Sequence, residues 1–336
     1  MMCAHCAAHV EKALNALPGV TAAVDLAGSS AVVTGDVSDE ALKKAGAPNM
    51  MRVAAAILTV FAILAAAIGI DQSYGEYATI GSLFGEDSYS QADLTGLAKR
   101  KDLITVAQWR KQAANGTIRN IPANGTVNKI DIPATKSQFE ARKALVYLPP
   151  AALADSKRKP ALPVVLMLSG QPGSPGRVFQ AGGIQTMMDG YAKTHDGLAP
   201  IVIAADQLGT DSHNTLCVDS KVYGNALTYL TQDVVDWVKT NLPAAQDAKD
   251  WAIAGFSQGA TCSLQIGVNH PDLFGTMIPT DSEIKPTNGS RQEMIDRFFD
   301  GDTTAYENQV PVNAIRNHIL IIIRKQIHIF LGFPTH

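Results

Sequence analysis

Apolar residues fall into several distinct patterns along this chain. Near the start, Val10, Ala13, Leu14 and Leu17 recur at helical spacing until Pro18-Gly19 stops the run. From Val53 to Ile70 the chain is uncharged and almost wholly apolar, with no polar face. That length is close to the roughly 18 to 20 residues that cross a bilayer, so a transmembrane helix or signal anchor is expected over residues 52–70. One helix is predicted from Asp93 to Ala114. Thr126–Ile132 and Ala141–Leu148 alternate apolar with polar positions, as an antiparallel edge hairpin does. Beyond them, Leu162–Leu168, Pro200–Ala205, Trp251–Ala254 and Gly275–Ile278 are continuous apolar runs. Runs of this kind, separated by helical stretches such as Thr228–Val238, imply parallel strands covered on both faces.

An antiparallel pair followed by a parallel βα series makes a mostly parallel sheet with helices on both faces, and with the serine turn at Gly255–Gly259 after a central strand it is the layout of the α/β-hydrolase fold. The expected organisation is a small N-terminal segment (1–47), the apolar span (52–70), a membrane-proximal spacer (71–120), the α/β body (121–315) and an atypical tail (316–336). A chain of 336 residues has room for one large domain and a smaller unit.

Charge narrows the function. With 28 Lys and Arg against 31 Asp and Glu, and no dense basic block, the chain lacks an electrostatic footprint for nucleic acid. Lys43, Lys44 and Arg52 precede the apolar span, whereas Asp71 and Glu76 follow it. The positive-inside rule then puts the N-terminus in the cytoplasm and the body outside the cell membrane as a single-pass protein. A secreted form, starting at Met51-Arg52 and cleaved near Ala65-Ala66-Ala67, leads to the same compartment.

The candidate chemistry centres on Asp250 to Ala260. An apolar run ends at Gly255, Ser257 sits between Gly255 and Gly259 in Gly-x-Ser-x-Gly spacing, and small residues open a helix beyond it. A strand-to-helix turn of this tightness excludes side chains at the flanking positions and lifts the serine hydroxyl clear of the sheet. The N–H of Gln258 at the helix start then faces a developing oxyanion. The loop Ser169–Gly176 follows the first continuous strand, where such hydrolases draw their second oxyanion donor. Gln171 is the candidate, because Pro172 has no N–H.

Two stretches resemble known families. The first includes Met2-x-Cys3-x-x-Cys6, the helix after it, Leu17-Pro18-Gly19-Val20, strand-like Ala22–Leu26 and Ala31–Val33, and the helix start at Val37–Leu42. It resembles the heavy-metal-associated domain of copper chaperones and metal-transporting ATPases over about 45 residues, as a partial ferredoxin-like unit without its outer strands. Thiolates at Cys3 and Cys6 suit a soft ion such as Cu(I).

The second comprises Leu168–Gly173, Cys217-Val218-Asp219, Tyr229–Val234, Trp251–Gly259 and His270–Gly275. These are similar to the actinobacterial esterases of the α/β-hydrolase superfamily, relatives of esterase D and the mycolyltransferases. The resemblance implies hydrolysis or transfer of an acyl ester through a Ser257 acyl-enzyme, with no cofactor. It covers Cys217 and Cys262, which would be a disulfide in an oxidising compartment or two buried thiols. The family triad runs serine, acid, histidine. Asp281 is the available acid, and His318, His328 and His336 are the available bases. The tail from Arg316, rich in Ile, Lys, Arg and His, departs from the family pattern. A foreign terminus and a hydrolase fold truncated at its C-terminus are therefore expected. The competing expectation is a membrane-tethered Cu(I)-binding protein carrying a catalytically incomplete hydrolase.

Overall fold

The computed structural model describes residues 4–25, 30–36, 38, 56–66, 68–69 and 89–330. The chain divides into two compact units, Met1–Tyr74 and Gly75–His336.

In the first unit, a helix over Ala4–Asn15 leads to an antiparallel pair, Thr21–Asp25 with Ser30–Thr34. Side chains of the helix bond the first strand's backbone. Asn15 donates to the Ala22 carbonyl at 2.9 Å and accepts from the Ala22 N–H at 2.8 Å, and Glu11 accepts from the Val24 N–H at 2.9 Å. Leu14, Val20 and Ala22 are buried. Of the expected membrane span at 52–70, residues 56–66 and 68–69 are described and are helical, whereas the expected second helix start of the ferredoxin-like unit at Val37–Leu42 lies, apart from Ser38, outside the described residues. Among the described residues, no helix is long and apolar enough to cross a membrane.

The second unit is built on one sheet. Its strands are β1 (Ser90–Gln91), β2 (Thr126–Ile130), β3 (Ala144–Leu148), β4 (Val164–Leu168), β5 (Ile201–Ala204), β6 (Trp251–Phe256), β7 (Thr276–Thr280) and β8 (His328–Ile329), in the order β8-β7-β6-β4-β5-β3-β2-β1. Strands β4 to β8 run parallel, while β3 is antiparallel to both β5 and β2. Its helices include α1 (Val106–Ala114), α2 (Pro175–Gly182), α3 (Ile184–Lys193), α4 (Val234–Asn241), α5 (Gln258–Asn269), α6 (Arg291–Phe298), α7 (Thr303–Glu307) and α8 (Pro311–Lys325). This is the α/β-hydrolase arrangement. The continuous apolar runs do become its central parallel strands, and all four residues of β5 are buried.

Three sequence expectations change. Asp93 does not start a helix: α1 begins at Val106, after Thr105, whose hydroxyl accepts from the Gln108 N–H while Gln108 reaches back to the Thr105 N–H. Such a capping box satisfies two otherwise orphaned donors and fixes the start. The stretch from residue 89 to 120 is core rather than spacer, for Leu94, Ile104, Trp109 and Ile118 join the main cluster, and the Trp109 indole N–H donates to the Asp196 carbonyl at 3.0 Å. The tail is not foreign to the fold. It continues α8 to Lys325 and then adds β8 to the sheet, with His328 paired to Thr276.

Candidate active site

Register brings the site together. In the parallel ladder Gly255 of β6 lies beside Leu168 of β4 on one side and Pro279 of β7 on the other, and Met167 lies beside Ala204 of β5. The segments after β4, β5, β6 and β7 therefore leave the sheet at the same edge, where open α/β sheets bind ligands.

Ser257 stands at the β6–α5 turn with φ 53° and ψ −117°. A positive φ is sterically costly for a residue with a Cβ, and here the surrounding backbone enforces it. The Ser257 N–H donates to the Thr280 carbonyl at 3.0 Å, and the Ser257 carbonyl accepts from the N–H groups of Ala260 (3.0 Å) and Thr261 (3.1 Å). The flanking glycines leave no alternative. A Cβ on Gly255 would lie 2.3 Å from the Gly259 carbonyl group, and one on Gly259 would lie 2.4 Å from the Ser169 carbonyl oxygen. The Gly-x-Ser-x-Gly spacing thus reflects helix α5 pressed against the ends of β4 and β6.

The expected oxyanion donors fall on either side of this turn. Gln258 is the first residue of α5, so its N–H has no helical acceptor. Gly170 abuts the elbow, since a Cβ built there would lie 3.6 Å from the Ser257 Cβ. Gln171 follows it, and its side chain donates to the Ser212 carbonyl at 3.2 Å. Asp281 leaves β7 next to the Thr280 carbonyl that holds Ser257, with its own φ at 58° and its side chain exposed. Among the described residues, the Ser257 hydroxyl hydrogen-bonds neither a histidine nor a carboxylate. His318 and His328 stand at the opposite end of the sheet. The His318 ring bonds Asn269 at the last turn of α5, 3.1 Å away, and His328 pairs with the first residue of β7. His336 and Cys3 lie outside the described residues, and no cluster able to hold a metal ion occurs among those described.

Several supporting residues escaped the sequence reading. Asp206 is fully buried beyond β5 and receives the Arg142 guanidinium through Nε at 3.0 Å and Nη2 at 2.8 Å. Arg142 also bonds Asp211, and its Nη2 donates to the Gly173 carbonyl at 2.9 Å. Burial works against the Arg142 charge, but the hydrogen bonds and charges of Asp206 and Asp211 outweigh it and hold the pKa above its ordinary value. One cation therefore braces the loops after β4 and β5. Gln207 and Asn214 face Gln258 through their amides. The Cys217–Cys262 disulfide joins the post-β5 segment to α5, which decides between the two cysteine readings. Beyond β7, the Thr261 hydroxyl accepts from the Glu283 N–H at 2.9 Å, and burial raises the Glu283 pKa. Polar Asp206-Gln207 directly after an apolar strand was the available sequence signal, because polar groups at the carboxyl end of a parallel strand face the site.

The fold and the elbow define an α/β-hydrolase with a serine at the nucleophile position. Residues 136–332 match the family model described as "Putative esterase", more than half of the chain, and the protein belongs to that family. The match runs through β8, in keeping with a tail that is part of the domain. Residues 1–46 match the heavy-metal-associated domain. An uncharacterised protein of Corynebacterium glutamicum is 34% identical over 271 residues, 80% of this chain and 60% of the relative. The chain thus spans less than two thirds of that relative's length. Among solved structures, an S-formylglutathione hydrolase from Agrobacterium tumefaciens has a TM-score of 0.48 at 17% identity, covering 59% of this chain and 73% of its own. Fluorophosphonate-binding serine hydrolase F of Staphylococcus aureus has a TM-score of 0.49 at 15% identity, covering 62% and 80%.

Proposed function

We propose that the protein is a serine esterase or acyltransferase that acts outside the cytoplasmic membrane. The observation that carries this reading is Ser257 itself, held at positive φ between two glycines that cannot bear side chains and beside the Gly170-Gln171 loop. In the proposed cycle the Ser257 Oγ attacks an ester carbonyl and its proton passes to a base. The N–H groups of Gln258 and Gln171 hold the oxyanion. Collapse expels the alcohol, which takes up a proton, and leaves the acyl group on Ser257. Water then releases a carboxylic acid, or a second alcohol carries the acyl group away. Phe256 and Ile284, exposed at 57% and 87% on segments flanking the elbow, suit an apolar acyl chain. Asp281 is the proposed acid of this site. The disulfide favours an oxidising compartment, in line with the apolar run before the body.

A fluorophosphonate probe should label the purified protein at Ser257, and Ser257→Ala should remove the label. An unlabelled wild-type protein would end the acyl-enzyme reading. The match of residues 1–46 to the heavy-metal-associated domain supports a second activity, Cu(I) binding through Cys3 and Cys6. Titration with Cu(I) should give one high-affinity equivalent that a Cys3→Ser, Cys6→Ser variant loses, and unchanged stoichiometry would remove it.

A further inference from the structure

Gln207 is fully buried, yet it belongs to neither the nucleophile turn nor the oxyanion loop. Its Nε2 donates to the Ser169 carbonyl at 2.6 Å and to the Gln258 Oε1 at 3.2 Å, with the Ser169 hydroxyl at 3.3 Å. Three acceptors around one amide nitrogen fix its orientation. Turned over, the amide would set its oxygen against the Ser169 carbonyl. The cost of this choice is visible, because the Gln207 Oε1 is buried with no partner among the described residues. An orphaned acceptor of that kind destabilises a fold and calls for a reason.

The two groups that Gln207 joins supply one. Ser169 opens the loop that carries the Gln171 N–H, and Gln258 carries the other expected oxyanion donor on α5. Gln258 continues the chain of amides, its Nε2 donating to the Asn214 Oδ1 at 3.2 Å and approaching the Cys262 Sγ at 3.2 Å. We propose that Gln207 is a positioning residue that sets the spacing of the two oxyanion donors by tethering the Ser169 carbonyl to the Gln258 side chain. This rests on the acyl-enzyme reading above for its catalytic consequence, though not for the tether itself.

The test compares full-length wild type with Gln207→Met, which keeps the side chain's length and removes both donors, and with Gln258→Met, which breaks the same pair from the other side. With a p-nitrophenyl ester, either variant should lower kcat by roughly tenfold or more while KM stays within about twofold. Affinity for a boronic acid, which mimics the tetrahedral anion, should fall by the same factor. The double variant should be far less than additive. Amide hydrogen exchange should speed up at residues 169–171 and 257–260 in each variant. Unchanged kcat, or kcat and KM changing together with no loss of boronate affinity, would overturn the positioning role. A wild-type protein inert toward ester and probe would end the esterase reading, and exchange would still decide the tether: faster at both segments supports it, unchanged refutes it. If Gln207→Met fails to fold, Gln258→Met decides by the same criteria.

Discussion

Ser257 occupies a backbone conformation that costs an L-residue about 1–3 kcal/mol, and its carbonyl and N–H are both committed to neighbours. Glycine reaches that region freely. Ser257→Gly should therefore raise stability by about 1 kcal/mol while abolishing probe labelling, a gain read as a higher urea midpoint at unchanged slope. A midpoint that falls would mean that the elbow is not strained. Gly259→Ala tests the opposite side of the turn. Its new Cβ would sit 2.4 Å from the Ser169 carbonyl oxygen and 2.5 Å from that of Leu168, both backbone atoms. We expect a loss of about 1–3 kcal/mol from overpacking, together with slower labelling of Ser257 as the oxyanion loop is pushed away. At this scale the sequence was informative where a short motif carries the geometry, as Gly255, Ser257 and Gly259 do. It was silent on Arg142 and on what Gln207 bonds, because the partners of both are dozens of residues away and leave no periodic trace.

Elements are held in place by buried polar groups at their ends. Asp233, at the start of α4, accepts from the N–H groups of Lys136 (2.9 Å) and Ser137 (3.0 Å) and from the Thr135 hydroxyl (3.3 Å). Burial alone would raise its pKa, but these hydrogen bonds outweigh it and lower the value. A carboxylate with a depressed folded pKa contributes stability above its unfolded pKa, near 3.9, and loses it as pH falls through the folded value. Asp233→Asn should thus cost about 1–2 kcal/mol at neutral pH, a difference that shrinks as the pH is lowered below about 4 in paired denaturation curves. A pH-independent difference would assign the loss to packing. The disulfide closes a separation of 45 residues between the post-β5 segment and α5. Reduction should lower stability by about 4 kcal/mol, seen as a reduced thermal midpoint in dithiothreitol. Parallel strands were legible because burial on both faces leaves unbroken apolar runs. The order of β1 and α1 was not, because the anchors Leu94, Ile104 and Trp109 are spaced without a period among polar neighbours. Likewise Ile321-Ile322-Ile323 has strand propensity but lies within α8, where the local preference is a weak guide.

At the scale of the whole molecule, the hydrophobic clusters of the larger unit draw, among the described residues, on positions 89 to 329. Among the described residues none before position 89 belongs to these clusters, so the body is expected to fold without the tether proposed for the apolar run. The full chain, expressed in a bacterium, is expected in the membrane fraction after alkaline extraction, with its body digested by protease added to spheroplasts. A chain beginning at Gly75, the boundary of the larger unit, and exported by a cleavable leader should instead be recovered free of membrane. Because the sheet, the disulfide and the Ser257 elbow all lie beyond residue 89, its thermal midpoint and its rate of fluorophosphonate labelling should match those of the full chain. A full chain recovered without membrane would remove the tether assigned to the apolar run at residues 53–70. A midpoint several degrees lower in the shortened protein would show that the N-terminal unit stabilises the body and would overturn its independent folding.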